Sequence, residues 1–135
     1  MLFRSVPDSA TVSGLPGALL FTDSVPVAAP AAVGANDTLT VDLGSSQSLG
    51  SVVVDLPPAT AWSTRTQTLS VLGSTDDSTW TTLVGSATYT FNPATGNTVS
   101  IALPGGTNDR YVQLSFTANS VQNGAQASEV EIFAP

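Results

Sequence analysis

Cysteine, histidine and lysine are all absent from this chain of 135 residues. Without cysteine and histidine there is no thiol nucleophile, no Cys/His zinc site, and no Ser-His-Asp or Cys-His catalytic arrangement. The lack of cysteine leaves the redox compartment open, because such a chain tolerates an oxidising exterior without requiring one. Positive charge is nearly missing too. Arg4, Arg65 and Arg110 face ten acidic residues, for a net charge of −7. Nucleic-acid affinity comes mainly from Lys and Arg neutralising phosphates, so no nucleic-acid partner is expected. Anionic membranes would repel the chain in the same way. No apolar run approaches the ~18 residues of a membrane-spanning helix.

The first residues, Met1 to Thr11, hold no apolar run before Pro7 and Asp8 and do not read as a signal peptide. A chain that starts on methionine, with neither polyhistidine tag nor linker scar, reads as a complete natural frame. Low charge also excludes an acidic disordered segment, since charged residues make up only 10% of the chain against 41% apolar.

What is present is Thr, Ser, Val, Ala and Gly, with nine prolines and eleven glycines scattered so densely that long helices are excluded. Short apolar runs alternate with polar residues. Leu39, Val41 and Leu43 alternate with Thr40 and Asp42; Leu69 and Val71 with Thr68 and Ser70; Val99, Ile101 and Leu103 with Ser100 and Ala102. Val112, Leu114 and Phe116 follow the same rule, as do Val130 and Ile132. A period of two puts each apolar set on one face of a strand, and that face needs a second sheet to cover it. The predicted core is Val41, Val53, Leu69, Val71, Ile101, Val112, Leu114, Phe116 and Ile132.

Turn chemistry separates the runs. Ser74 to Thr79 (STDDST) can bond its own backbone through Asp76 and Asp77, and Asn92 to Asn97 (NPATGN) has Pro early and Gly late. Length and rhythm predict one all-β domain over 1–135, an antiparallel β-sandwich. Residues 1–37 are punctuated too often for confident strands, Ala18 to Phe21 being the best candidate there. They are expected to be irregular, in the manner of an N-terminal arm, before a sandwich over 38–135.

From Leu39 to Phe133, about 95 residues, the order of features resembles the discoidin, or coagulation-factor type C, family, to which many bacterial carbohydrate-binding modules belong. Four pieces carry the resemblance: LTVDLGSSQSLGSVVVDLP (Leu39 to Pro57), RTQTLSVLGSTDDSTWTTLV (Arg65 to Val84), RYVQLSF (Arg110 to Phe116) and ASEVEIF (Ala127 to Phe133). The chain departs from the family pattern in four ways. Asp23 is followed by Ser24 rather than glycine, no tryptophan precedes Trp62, Asp77 stands where glycine is common, and the loop Ala118 to Gln126 (ANSVQNGAQ) lacks the aromatic many relatives carry there. The resemblance implies a discoidin-like jelly roll with its ligand on loops at one end. It also implies a structural calcium near the N-terminal loop, for which Glu129 matches the family's glutamate and Asp23 loosely its aspartate. No cofactor is required on size grounds.

Ligand-binding candidates follow from side-chain chemistry. Trp62, in the loop PPATAWSTR, presents a flat apolar surface that suits a sugar ring; the alternative is that it caps the end of the core. Arg65 offers a fork of donors suited to vicinal hydroxyls or a carboxylate, or it pairs with one of the chain's own acids to hold a loop. Asn119, Gln122 and Asn123 form an amide-rich loop expected at the same end, where amides can both donate and accept. Trp80, opening an apolar strand, is expected in the core, and Arg110 is expected to be structural. The acid pairs Asp76/Asp77 and Glu129/Glu131 imply no pocket, so no catalysis is expected.

Two functions fit these readings. One is a non-catalytic module that binds a polysaccharide or cell-surface glycan outside the cell. The other is a virion structural protein, a phage decoration or tail component that binds copies of itself or other virion proteins and lies on the virion surface.

Overall fold

The structure, a computed structural model, describes residues 2–3, 18–22, 37–56, 62–121, 125–127 and 129–135; for 2–3, 18–22, 37 and 129 it describes the backbone alone. It is an all-β sandwich of two sheets. The strands are β1 (Leu2–Phe3), β2 (Ala18–Thr22), β3 (Asp37–Ser48), β4 (Ser51–Asp55), β5 (Arg65–Ser74), β6 (Thr81–Phe91), β7 (Thr98–Ala102), β8 (Asn108–Asn119) and β9 (Glu129–Phe133). One sheet has the order β1-β2-β9-β4-β7 and the other β3-β8-β5-β6. All described pairings are antiparallel except β1 with β2. Within the stretch expected to be irregular, the described residues are strand, and β2 covers the segment Ala18 to Phe21.

The alternating runs become the two inner faces. Leu39, Val41, Leu69, Val71, Val112, Leu114 and Phe116 come from the four-stranded sheet, and Val52, Val54, Ile101, Val130 and Ile132 meet them from the five-stranded one. One expected core position was out of phase. Val53 is only half-buried, while Val52 and Val54 are fully covered. Three consecutive valines carry no period of their own, so the face is fixed by pairing: Val52 lies beside Ile132 and Ile101, and Val54 beside Val130 and Val99.

The turns behave as their residues require. In the β5–β6 hairpin, Asp76 Oδ1 accepts from the amides of Thr79 (2.8 Å) and Ser78 (2.9 Å) and from the Ser74 hydroxyl (3.0 Å). The Thr79 and Ser78 amides, with Ser74, hold its carboxyl below the ordinary aspartate range. Asp77 takes a left-handed φ of 59°, which explains a glycine-favouring position at this turn. Asn92 caps a single 3-10 turn, Pro93–Thr95, by accepting from the Ala94 amide.

The Asp42-Leu43-Gly44 triplet ends the regular part of β3. Gly44 has φ of 87°, and its amide donates to Asp42 Oδ1 at 2.8 Å. Asp42 in turn accepts two bonds from Arg110, from Nε at 2.7 Å and from Nη2 at 2.9 Å. Arg110 is thus structural, as expected. These guanidinium bonds hold the Asp42 carboxyl below the ordinary aspartate value of 3.8. A carboxyl depressed in the folded state adds stability above its unfolded value and loses that contribution as pH falls through the folded one. Asp42→Asn should therefore melt below the wild type at neutral pH, and the gap should close as pH falls below 3.8. Melting curves over that range check this; a gap that stays constant with pH would contradict it.

Bulges interrupt the four-stranded sheet. The three steps from Leu69 to Leu72 on β5 face five steps from Ala87 to Thr82 on β6. On β3, the five steps from Asp42 to Gln47 face only two on β8, from Tyr111 to Asp109. Trp80 departs from expectation here. It is half-buried and meets Tyr111 edge-on, with centroids 6.5 Å apart and planes at 66°. Tyr111 alternates with the buried Val112 and so lies on the outer side of its sheet, which takes Trp80 out of the core.

Candidate functional site

One end of the sandwich gathers the start of β5, the end of β8, the loop before β5 and the segment Ala125–Ala127. Arg65 opens β5 in the phase that its successors Gln67, Leu69 and Val71 continue into the core. The strand therefore carries two polar side chains inward before the apolar ones begin. Both need partners, because a buried polar group without a hydrogen bond is costly.

Gln67 is fully buried and finds its partners in the backbone of a residue 59 positions away. Its Nε2 donates to the Gln126 carbonyl at 2.9 Å, and its Oε1 accepts from the Gln126 amide at 2.8 Å. A side-chain amide here does what a neighbouring strand would do, satisfying both backbone groups of one residue. Asn119 joins the same cluster, its Nδ2 donating to Gln126 Oε1 at 3.1 Å and Gln67 Oε1 at 3.3 Å. Its Oδ1 accepts from the Val121 amide at 3.0 Å. Asn119 is the last residue of β8 rather than part of a free loop, and its amide turns toward these glutamines.

Arg65 is buried at the same spot. Its Nη1 donates to Gln126 Oε1 at 2.6 Å, its Nε to the Ser63 carbonyl at 3.1 Å and its Nη2 to the Ser63 hydroxyl at 3.5 Å. Its Cζ lies 4.9 Å from the centroid of the Trp62 ring, a cation–π contact. The alternative of a pairing with an acid is not found among the described residues, where the one ion pair is Arg110 with Asp42. The reason is local, since amide and carbonyl oxygens and an aromatic face supply the negative potential instead. Burial draws the guanidinium below its ordinary value, but arginine keeps its charge in proteins.

Trp62 is half-buried and packs against the core, with Arg65 over its ring. It caps the end of the core and still keeps part of its surface in solvent. Val121, an exposed large apolar residue at 47%, adds surface at this end that the sequence reading did not single out. Thr64 donates to Asn92 Oδ1 at 3.4 Å, joining the Trp62 loop to the 3-10 turn. Gln67 and Gln126 were also missed, although Gln67 gave a signal: it sits on the apolar phase of its strand.

Gln122, Asn123 and Asp23 lie outside the described residues. Glu129 is described by its backbone, which pairs with Thr22 on one side and Asp55 on the other. Among the described residues no three acidic side chains stand together as a metal ion would need. Neither candidate calcium ligand, Asp23 or Glu129, has its side chain among the described ones.

Comparison with known proteins agrees with this fold. A family model for the NedA-like, galactose-binding domain of the F5/F8 type C group matches residues 24–114, about two thirds of the chain. No curated protein matches the chain. Among solved structures, the chain is similar to the CBM32 module of AlyQ in complex with 4,5-unsaturated mannuronic acid: TM-score 0.61, 25% identity, 77% of this chain and 75% of that one. It is similar in fold to a pectin-binding carbohydrate-binding module, with TM-score 0.57, 18% identity, and 74% and 72% of the two chains. It is likewise similar in fold to CpGH89CBM32-5 from Clostridium perfringens in complex with GalNAc-beta-1,3-galactose, with TM-score 0.58, 15% identity, and 87% and 94% of the chains. The chain belongs to the F5/F8 type C, galactose-binding-like family.

Proposed function

We propose that this chain is a non-catalytic glycan-binding module that acts outside the cell, with its ligand at the Trp62 end of the sandwich. The observation that carries the reading is the Trp62–Arg65 stack standing over a satisfied amide cluster. A part-exposed aromatic held rigidly by a cation offers a platform for a sugar ring, and the amides beneath fix its orientation at little entropic cost. Spare guanidinium donors, uncancelled by any described carboxylate, suit sugar hydroxyls or a uronate. The family relationship supports a binding role, and a truncated AlyQ carries a CBM32 and an alginate lyase as distinct domains. Nothing in the described structure favours the virion-assembly alternative.

Trp62→Ala tests the reading. In native gels containing soluble galactan, pectin or chitosan, the wild type should be retarded by at least one and the variant much less by the same polymer. Because the ring also packs on the core, stability should fall by about 1–3 kcal/mol, so binding is compared well below the melting transition. A variant retarded as strongly as the wild type would remove the site from this end.

A further inference from the structure

We propose a second glycan contact on the outer face of the four-stranded sheet, suited to a neutral polysaccharide chain lying along the strands; it rests on the glycan-binding reading above. The starting observation is the distribution of charge. In a chain of net charge −7, residues 78–108 hold no charged residue at all. They include all of β6, one edge of this sheet. The described outward positions of the neighbouring strands are mostly Thr, Ser and Gln, and their charges, Asp42, Asp109 and Arg110, gather at the hairpin end. The Asp55 and Glu131 side chains, by contrast, alternate with the buried Val54, Val130 and Ile132 of the other sheet.

Hydroxyls take the place of charges. Thr66 pairs with Thr90 and Thr68 with Thr88, a block of four threonines on the outward side of β5 and β6. Thr68 and Thr88 share a hydrogen bond at 2.8 Å, which fixes their rotamers. Each threonine hydroxyl can donate and accept, matching sugar hydroxyls in kind. At the far end of the same face stand Trp80 and Tyr111, outside the core. An aromatic pair at one end and a hydroxyl block at the other, separated by most of the ten residues of β5, suits an extended neutral chain. A charged polymer would gain nothing from such a face, and a second protein would find little apolar area to bury on it.

Two contacts on one module raise apparent affinity for a long polymer but not for a short sugar. The test compares high-molecular-mass galactan with galactobiose, using wild type, Trp62→Ala, Trp80→Ala and Thr88→Glu. Thr88 is exposed, so a glutamate there blocks the face without entering the core. Trp80→Ala and Thr88→Glu should each weaken galactan binding about tenfold or more and leave galactobiose affinity unchanged. Trp62→Ala should lose galactobiose while keeping weak galactan binding, which Thr88→Glu then removes. If both face variants bind galactan like the wild type while Trp62→Ala does not, the second contact is overturned and the end site stands. If Thr88→Glu instead changes the sedimenting mass, the face joins two copies of the chain and the inference is again overturned. Failure of the wild type to bind galactan, pectin or chitosan would remove both readings together.

Discussion

Leu114→Ala is expected to lower stability by about 2–5 kcal/mol. The residue lies at the middle of β8, paired with Leu39 on one side and Val71 on the other, and is only 1% exposed. Both neighbours are held by ladder bonds, so the sheet cannot close over the missing atoms and most of the cavity remains. For a domain of this size the melting temperature should fall by roughly 8–20 °C. A loss below about 1 kcal/mol would mean that β8 faces the other way. Binding at the Trp62 end should survive wherever the variant is folded, since the bonds there are made by Arg65, Gln67, Asn119 and Gln126.

Gln67→Leu should be nearly as costly for a different reason. The replacement fills the same space but leaves the amide and the carbonyl of Gln126 without partners in a buried place. Each such loss is worth about 1–3 kcal/mol, giving roughly 2–6 kcal/mol together. Unlike Leu114→Ala, this change should also impair glycan retention at temperatures where the protein is folded. Gln126 holds the Arg65 guanidinium, and Arg65 holds the Trp62 ring. Gel retardation and a melting curve measured on the same preparation separate the effects. Unchanged retention in a destabilised but folded variant would mean that the amide cluster serves the fold alone.

The strands with strict alternation were legible from their residues. β3, β5 and β8 could be placed because apolar and polar residues alternate over 39–43, 68–71 and 112–116, which fixes the phase. β4 was legible as a strand but not in its facing, since Ser51 to Leu56 holds three valines in a row. Trp80 was misplaced because a bulky ring beside an apolar run looks the same whether it points in or out; its position depends on Tyr111, across the sheet. At the site, Trp62 and Arg65 stood out as rare residue types. Gln67 and Gln126 did not, because what makes them special is a pairing across 59 residues of chain, which no local pattern encodes. That Arg65 would be neutralised by amides and a ring rather than by an acid was equally out of reach for a local reading.

The bulges on β6 have a bearing on crowding. This edge strand has neither lysine nor proline, the usual guards against edge-to-edge pairing, and its residues favour β structure. Five steps on β6 against three on β5 bend the backbone and throw its free amides and carbonyls out of line. The opposite edge, β3, is interrupted in its turn between Asp42 and Gln47. A stranger's strand thus finds no long straight template on either side. At the edges of this sheet pairing is resisted by shape rather than by charge, so the protection there should hold in high salt, where a lysine-guarded edge would lose its repulsion.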